Sequence, residues 1–234
     1  LSVATLSGYW GLLSSPERYR VRVLMGSVAP IAVRLAGYFP GWLMSDGYHV
    51  YRVMSRRLRC WAHLVRKARG LAQCLDPPAQ RFGQAVLDGL SGLMQAVYEA
   101  RESPGRDLVS ECRVEVEQLR ALCQQHCEAR HEKTRTLARE LLNDWEAIFQ
   151  VLAHPELPLT NNEAERALRH WVIARKLSFG TRTVEGSRAY GLLASVIDTC
   201  RKRQQVPWGY LAQVIRARRA GQNAPPLPAA AAIG

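Results

Sequence analysis

Residues 157–176 read Leu-Pro-Leu-Thr-Asn-Asn-Glu-Ala-Glu-Arg-Ala-Leu-Arg-His-Trp-Val-Ile-Ala-Arg-Lys, a stretch that joins a helix start to two carboxylates and five basic side chains. Asn161 or Asn162 can cap this helix, because a side-chain oxygen there accepts free backbone N–H groups. Glu165 and Arg169 then lie one turn apart on the same face. A carboxylate beside several arginines suits metal-assisted chemistry on a phosphate backbone. The alternative is a surface helix with ion pairs.

The charge balance of the chain points to a polyanionic partner. Its 234 residues include 32 Lys and Arg against 20 Asp and Glu, which gives a net charge of +12. Nucleic acid is the first candidate for such a partner, and a membrane surface is the alternative. No apolar run approaches the roughly 20 residues that a bilayer-spanning helix needs, and residues 1–11 lack the pattern of a secretory signal. We therefore expect a cytoplasmic protein with no membrane partner.

The six cysteines are spread unevenly over a medium-sized chain, which favours reduced thiols in the cytosol over a disulfide framework. Cys123 and Cys127 are four positions apart on a predicted helix, next to His126 and near His131. A metal could bind there, but the spacing is not that of a common zinc module.

The hydrophobic pattern predicts an α/β (α+β) fold that is largely helical overall. Residues 19–25 alternate like a half-buried strand, and residues 41–45 form a short apolar strand that stops at a turn signal, Asp46-Gly47. The predicted helices cover residues 31–38, 59–69 (a helix or a strand-to-helix transition), 77–102, 109–131, 134–152, 185–203 and 207–219. We expect a mixed part at 1–70, a helical part at 71–154, a C-terminal part at 155–220 and a disordered tail at 221–234.

Two places outside the opening stretch could carry chemistry. Asp46 ends the apolar strand and could hold a divalent cation there, although Asp-Gly is also a common turn dipeptide. Cys60 and His63 are three positions apart on one helix face, where they could share a metal, a hydrogen-bond network or simple packing. Basic residues surround this pair and could contact a DNA backbone or form a solvated face; they are Arg56, Arg57, Arg59, Arg66, Lys67 and Arg69.

Three segments occur in a distinctive order: Leu43-Met44-Ser45-Asp46-Gly47-Tyr48, then Cys60-Trp61-Ala62-His63-Leu64 with Arg66-Lys67, and then Asn161-Asn162 with Glu165-Arg166 and Arg175-Lys176. In order and spacing they resemble the transposases of the insertion-sequence-66 family. The resemblance covers about residues 37–216, and Asn-Asn-x-x-Glu-Arg is its most specific element. It implies a catalytic-domain fragment with an RNase-H-like core, interrupted by an α-helical insertion and followed by a helical C-terminal part.

The resemblance also implies metal-dependent DNA cleavage and strand transfer by an Asp-Asp-Glu triad. Asp46 is then the second triad carboxylate and Glu165 the third, and both are ligands of a two-metal site for Mg²⁺ or Mn²⁺. Cys60, His63, Asn161 and Asn162 form a structural motif near the site. The expected partners are transposon ends and target DNA, with a homo-oligomer possible. The implied phosphate-binding residues are Arg66, Lys67, Arg166, Arg169, Arg175 and Lys176.

The first triad aspartate has no counterpart in residues 1–45, where Glu17 is the only carboxylate. We therefore expect a truncated or decayed catalytic domain that is inactive alone, and its status as an enzyme stays open. One alternative is a non-catalytic basic helical protein that binds nucleic acid through its charge. Another is a helical interaction module with a metal at Cys60 and His63.

Overall fold

The structure is a computed structural model that describes residues 3–7, 10–13, 22–25, 41–47, 49–103 and 105–229. Its strands are β1 (Val3–Ser7), β2 (Trp10–Leu13), β3 (Arg22–Met25), β4 (Trp42–Ser45) and β5 (Arg57–Arg59), with a short 3₁₀ helix at His49–Val53. Its α-helices are α1 (Trp61–Ala72), α2 (Pro77–Glu102), α3 (Leu108–Glu111), α4 (Arg113–His126), α5 (Glu132–Asn143), α6 (Trp145–Ala153), α7 (Asn162–Leu177), α8 (Val184–Lys202) and α9 (Pro207–Arg219). The prediction of a largely helical chain is confirmed.

The strands form one sheet in the order β3-β2-β1-β4-β5. β1 and β2 pair antiparallel with Ala4 opposite Leu13, and β2 and β3 pair antiparallel with Trp10 opposite Met25. The predicted strand at 19–25 is confirmed for the part that is described, and the predicted strand at 41–45 is confirmed as β4. The helix predicted at 31–38 lies outside the described residues.

The chain divides into two compact units, and the division falls within β4. One unit contains Leu1–Leu43 with Ala164–Gly234, and the other contains Met44–Glu163. The domain boundaries expected at residues 70 and 154 stay predictions, as does the disorder expected at 221–234.

In the unit that contains the C-terminal residues, α8 packs against β3, and α9 contacts α8. The described residues after α9, 220–229, have no regular secondary structure, but two side chains are hydrogen-bonded to them. Arg203 Nη1 donates to the carbonyl of Pro228 at 2.6 Å, and the Tyr210 hydroxyl donates to the carbonyl of Pro225 at 3.0 Å. Among the described helices, none has both the length and the apolar character needed to cross a bilayer.

The unit Met44–Glu163 is built around the hairpin of α1 and α2. Apolar residues at helical spacing on these helices are buried, as the sequence predicts for α2. The hairpin is close enough that a side chain on Gly83 of α2 would meet the backbone of Ala72, with an ideal Cβ 2.4 Å from its nitrogen. The centre of this core contains Trp61, Leu64, Leu71, Phe82, Val86, Leu90, Leu93, Leu137, Leu141 and Ile148.

The prediction of one continuous helix over 134–152 is wrong, because the chain breaks at Asp144 into α5 and α6. Asp144 has a non-helical backbone (φ −113°, ψ 20°), and its carboxylate is buried. The helix predicted over 109–131 is likewise interrupted, at Cys112 between α3 and α4, and it ends early, at His126. His131 instead caps α5 by accepting the backbone N–H of Thr134 at 3.3 Å.

Candidate functional site

Asp46 directly follows β4, whose four residues are all buried. Asp46 itself is only half-buried. The C-terminal end of β4 is held by a hydrogen bond, because the Cys60 backbone N–H donates to the Ser45 carbonyl at 2.9 Å. The predicted position of Asp46 at the end of a buried strand is therefore confirmed. A carboxylate oxygen at such a place is a ligand of the kind that Mg²⁺ prefers.

Cys60 is fully buried at the start of α1, and it links the end of β4 to residues 157–161, just before α7. Its sulfur accepts the backbone N–H of Asn161 at 3.5 Å. Next to it, the Trp61 backbone N–H donates to the Leu159 carbonyl, and the Trp61 indole N–H donates to the Ile148 carbonyl, both at 2.9 Å. The thiol of Cys60 and the backbone N–H of Trp61 thus anchor the chain just before α7, while the Trp61 ring is bonded to α6.

Asn161 is buried to 2% exposure just before α7. Neither its side-chain oxygen nor its side-chain nitrogen has a hydrogen-bond partner among the described residues. A buried amide without partners costs roughly 1–3 kcal/mol. The Asn161 side chain therefore has a hydrogen-bond acceptor and a donor that are unused within the described part of the chain. Its predicted part in a site motif stays a prediction.

His63 is half-buried on α1, one turn after Cys60. No group of three or more His, Cys, Asp or Glu side chains that could hold a metal is found within the described ranges. At the other pair considered for a metal, Cys123 is buried, while Cys127 donates its thiol to the Gln124 carbonyl at 3.1 Å. Among the described residues, neither the Cys60–His63 pair nor the Cys123–Cys127 pair therefore belongs to a group of three or more metal ligands.

A network of buried charges fastens the segment after Asp46 to the helices. The Asp144 carboxylate, whose side chain is 1% exposed, contacts three arginines. Arg52 Nε and Arg57 Nη2 lie 3.1 and 2.8 Å from Oδ1, and Arg59 Nε lies 3.2 Å from Oδ2. Arg59 has a fully buried side chain, so it belongs neither to a solvated face nor to a DNA-contacting surface.

Glu140 lies on α5, one turn before Asp144, and extends this network. It accepts a short hydrogen bond from Arg59 Nη2. It also accepts two hydrogen bonds from Lys67 Nζ, at 2.6 and 2.8 Å. Lys67 is half-exposed, and Arg66 beside it is exposed. Any phosphate bound by Lys67 competes with Glu140, and the phosphate roles of Arg66 and Lys67 stay predictions.

Sequence reasoning missed this network, although parts of it were visible. Arg57 and Arg59 alternate on a short strand, and Glu140 and Asp144 have the i, i+4 spacing of one helix face. Their partnership is long-range, with Arg57 and Asp144 separated by 87 positions. No local pattern shows a contact of that kind.

Glu165 lies in the first part of α7 and is half-buried. Arg166 and Arg169 are exposed on the same helix. Arg175 is half-buried and Lys176 is exposed, and both belong to the last turn of α7, where positive charge stabilises the helix end. All these residues sit on the predicted helix, which begins at Asn162. Their catalytic and phosphate-binding roles stay predictions.

The far half of α7 is held to α8 by Asp198. The Trp171 indole N–H donates to Asp198 Oδ2 at 2.6 Å, and His170 Nε2 lies 3.4 Å from Asp198 Oδ1. The Tyr190 hydroxyl donates to the Trp171 carbonyl at 3.2 Å, and burial raises the pKa of Tyr190. These contacts fix the rotation of the helix that carries Glu165.

Asp46 and Glu165 belong to different units of the chain. Their meeting at one metal site therefore stays a prediction. What the structure does describe is each carboxylate on a well-anchored element, with Asp46 at the end of β4 and Glu165 on α7.

The sequence model for the Transposase IS66 family matches residues 27–189, more than half of the chain. The chain belongs to this transposase family. The matched range of the transposase-family chain includes Asp46, Cys60, His63 and Glu165.

Two proteins of Sinorhizobium fredii (strain NBRC 101917 / NGR234) are relatives of this transposase-family chain. Uncharacterized protein y4qI is 25% identical over 223 residues, which cover 86% of this chain and 40% of the relative. Uncharacterized protein y4jO is 27% identical over 196 residues, which cover 83% of this chain and 59% of the relative. The chain thus spans about half the length of these curated relatives. No solved structure matches it significantly.

Proposed function

We propose that this chain is part of the catalytic region of a DNA transposase with an RNase-H-like core. The observation that carries the proposal is the family match, because it contains both a carboxylate at a strand end, Asp46, and a carboxylate on α7, Glu165. The strand order β3-β2-β1-β4-β5, with β1 to β3 as an antiparallel meander, supports the RNase-H-like part by analogy of fold.

In this proposal Asp46 and Glu165 are ligands of Mg²⁺ or Mn²⁺. Carboxylate oxygens suit these hard cations. The buried side chain of Asn161, whose backbone N–H contacts the Cys60 sulfur, carries a further oxygen with no hydrogen-bond partner among the described residues. Paired divalent cations in such sites activate a water or a 3′-hydroxyl and stabilise the leaving oxygen. Because residues 1–45 contain no aspartate, we propose that this chain alone does not cleave DNA.

DNA is the proposed partner, both as transposon ends and as target, and the expected compartment is the cytoplasm. The net charge of +12 favours a polyanion. Arg166, Arg169 and Lys176 are exposed on α7, the helix of Glu165, where they can contact phosphates. A homo-oligomer would bring two transposon ends together.

Mn²⁺ binding tests the metal site without requiring cleavage. The chain is titrated with Mn²⁺, and the free ion is measured by its electron paramagnetic resonance signal. Asp46→Ala and Glu165→Ala should each weaken binding more than about tenfold, because both carboxylates serve one site. Glu185→Ala, which removes an exposed carboxylate of α8, is the matched control and should bind like the parent chain. Parent-like binding in Asp46→Ala contradicts the proposal.

The net charge also favours a second candidate, a non-catalytic basic protein that binds nucleic acid by charge alone. It predicts salt-sensitive DNA binding in a chain that binds no Mn²⁺. The same titration, combined with DNA binding at several salt concentrations, separates the two candidates.

A further inference from the structure

Phe179 has a backbone conformation that side chains rarely adopt. It follows the end of α7 with a φ of 56°. The Gly180 N–H donates to the Arg175 carbonyl at 2.9 Å, and the Phe179 N–H is 3.3 Å from the Lys176 carbonyl. This pair of bonds is the Schellman motif, in which Phe179 occupies the left-handed position that glycine usually fills. A bulky aromatic residue there is an outlier.

The Phe179 side chain is also 95% exposed. A glycine at this position would remove the conformational strain, and a polar residue would remove the exposed apolar surface. The position thus carries two unfavourable features, and burial of the ring within the chain does not offset them. Strain of this sort, held by well-formed surroundings, points to a function at the strained residue.

The turn around Phe179 is held by hydrogen bonds at both ends and is positively charged. At its far end, the Thr183 hydroxyl accepts the Gly186 N–H at 2.9 Å and caps α8. Residues 175–188 contain four basic side chains and one acidic one, for a net charge of +3. Lys176 and Arg182 are exposed on either side of Phe179. An apolar ring between basic side chains matches a nucleic-acid strand, which offers bases between phosphates.

We propose that Phe179 is a DNA-contacting residue whose ring stacks on an unpaired or unstacked base, while Lys176 and Arg182 contact the flanking phosphates. This inference rests on the proposed function for its partner, DNA, and adds the contact and the kind of DNA site. A ring on a hydrogen-bonded turn can act as an apolar wedge at a base step that has opened. The preferred substrate is therefore a duplex with a frayed or single-stranded end.

Gln204 provides a matched control. It follows α8 with the same φ of 56°, and the Gln205 N–H donates to the Cys200 carbonyl at 2.8 Å, as in the Schellman motif at Phe179. Gln204 is exposed as well. Phe179→Gly and Gln204→Gly therefore make the same backbone change at the ends of two helices. Both should leave the urea midpoint equal to or above that of the parent, because glycine relieves the left-handed strain.

The test measures binding of the full chain to a fluorescein-labelled duplex with a short single-stranded overhang, by anisotropy at several salt concentrations. Phe179→Gly should weaken binding about tenfold, and Phe179→Trp should restore it. Since the ring is uncharged, the salt dependence should not change. Lys176→Ala, by contrast, should reduce the salt slope by about one. Gln204→Gly should bind like the parent.

The outcomes are separable. If the parent chain binds no DNA, both the proposed function and this inference are wrong. If the parent binds DNA and Phe179→Gly binds equally well, only this inference is wrong. If Phe179→Gly changes self-association, measured by sedimentation, but not DNA affinity, the ring is a protein contact and the inference is overturned.

Discussion

The guanidinium of Arg59 occupies the space that a side chain on Gly47 would need. An ideal Cβ on Gly47 would lie 1.6 Å from Nη1 and 2.2 Å from Cζ of Arg59. Gly47 also has a φ of 105°, which side chains disfavour. Because Asp46 immediately precedes this glycine, the turn that presents the carboxylate rests directly on a buried cation. The position of Asp46 thus depends on the missing side chain of its neighbour.

Gly47→Ala should therefore destabilise the chain and displace Asp46. Gly105 is a matched control, because its φ of 104° is nearly the same and a Cβ there meets nothing within 4 Å. Gly105→Ala should cost about 1–2 kcal/mol from backbone strain alone. Gly47→Ala should cost about 1–3 kcal/mol more, because Arg59 must move. Urea unfolding of both variants measures the difference. Equal losses of unfolding free energy would show that the Arg59 side chain moves without cost.

A second pair of glycines tests the packing of the α1–α2 hairpin. Gly83 and Gly92 both lie within α2, but a Cβ on Gly83 would be 2.4 Å from the Ala72 nitrogen, whereas Gly92 has open space. Gly92→Ala should stabilise the chain by about 0.5–1 kcal/mol through helix propensity. Gly83→Ala should destabilise it by about 1–3 kcal/mol. Thermal unfolding followed by circular dichroism measures both, and a gain in stability for Gly83→Ala would refute the close approach.

Asp144→Asn should cause one of the largest losses of stability available by a single substitution. Removal of this buried charge takes the Asp144 carboxylate away from Arg57 and leaves Arg59 with Glu140 as its carboxylate partner, for which we expect a cost of about 3–5 kcal/mol. Glu128→Gln is the control: this exposed carboxylate pairs with Arg139 at 2.5 Å, and its loss should cost at most about 1 kcal/mol. Denaturant midpoints compare the two, and similar effects would contradict the buried network.

Alkaline pH should weaken the core through Cys123. Burial raises the pKa of this thiol from 9.0 to about 12. The folded state therefore keeps its proton more firmly than the unfolded state does. The stabilisation is complete below pH 9 and is lost as the pH rises towards 12.

The free energy of unfolding is measured from pH 9 to pH 12 in the parent chain and in Cys123→Ala. It should fall less steeply with pH in Cys123→Ala than in the parent. Leu137→Ala removes buried apolar volume without removing a thiol, and it should retain the parent's slope. An equally steep decline in Cys123→Ala would assign the alkaline loss to other groups.

The elements that local signals define were predictable from the sequence. β4 ends where Asp46-Gly47 predicts a turn, and α7 begins at the predicted place, Asn162. The Asn161 side chain does not cap it, because that side chain has no hydrogen-bond partner among the described residues. The break at Asp144 was not predictable, since an aspartate within a helical pattern looks like a solvated position. Its burial depends on Arg52, which is 92 positions away along the chain. The ion pairs that hold the segment after Asp46 also join residues far apart in sequence, so no local pattern predicts them, although Asp46 itself was predicted.

The unit Met44–Glu163 is continuous in sequence, and contacts near its two ends join them. Hydrogen bonds join Ser45 to Cys60, Cys60 to Asn161, and Trp61 to Leu159. A segment whose ends meet can be inserted into another fold, or removed from it, with little change to the surrounding chain. Residues 44–163 thus form a unit with its own hydrophobic core and with ends that lie together, so an experimenter could express this segment alone and ask whether it folds autonomously.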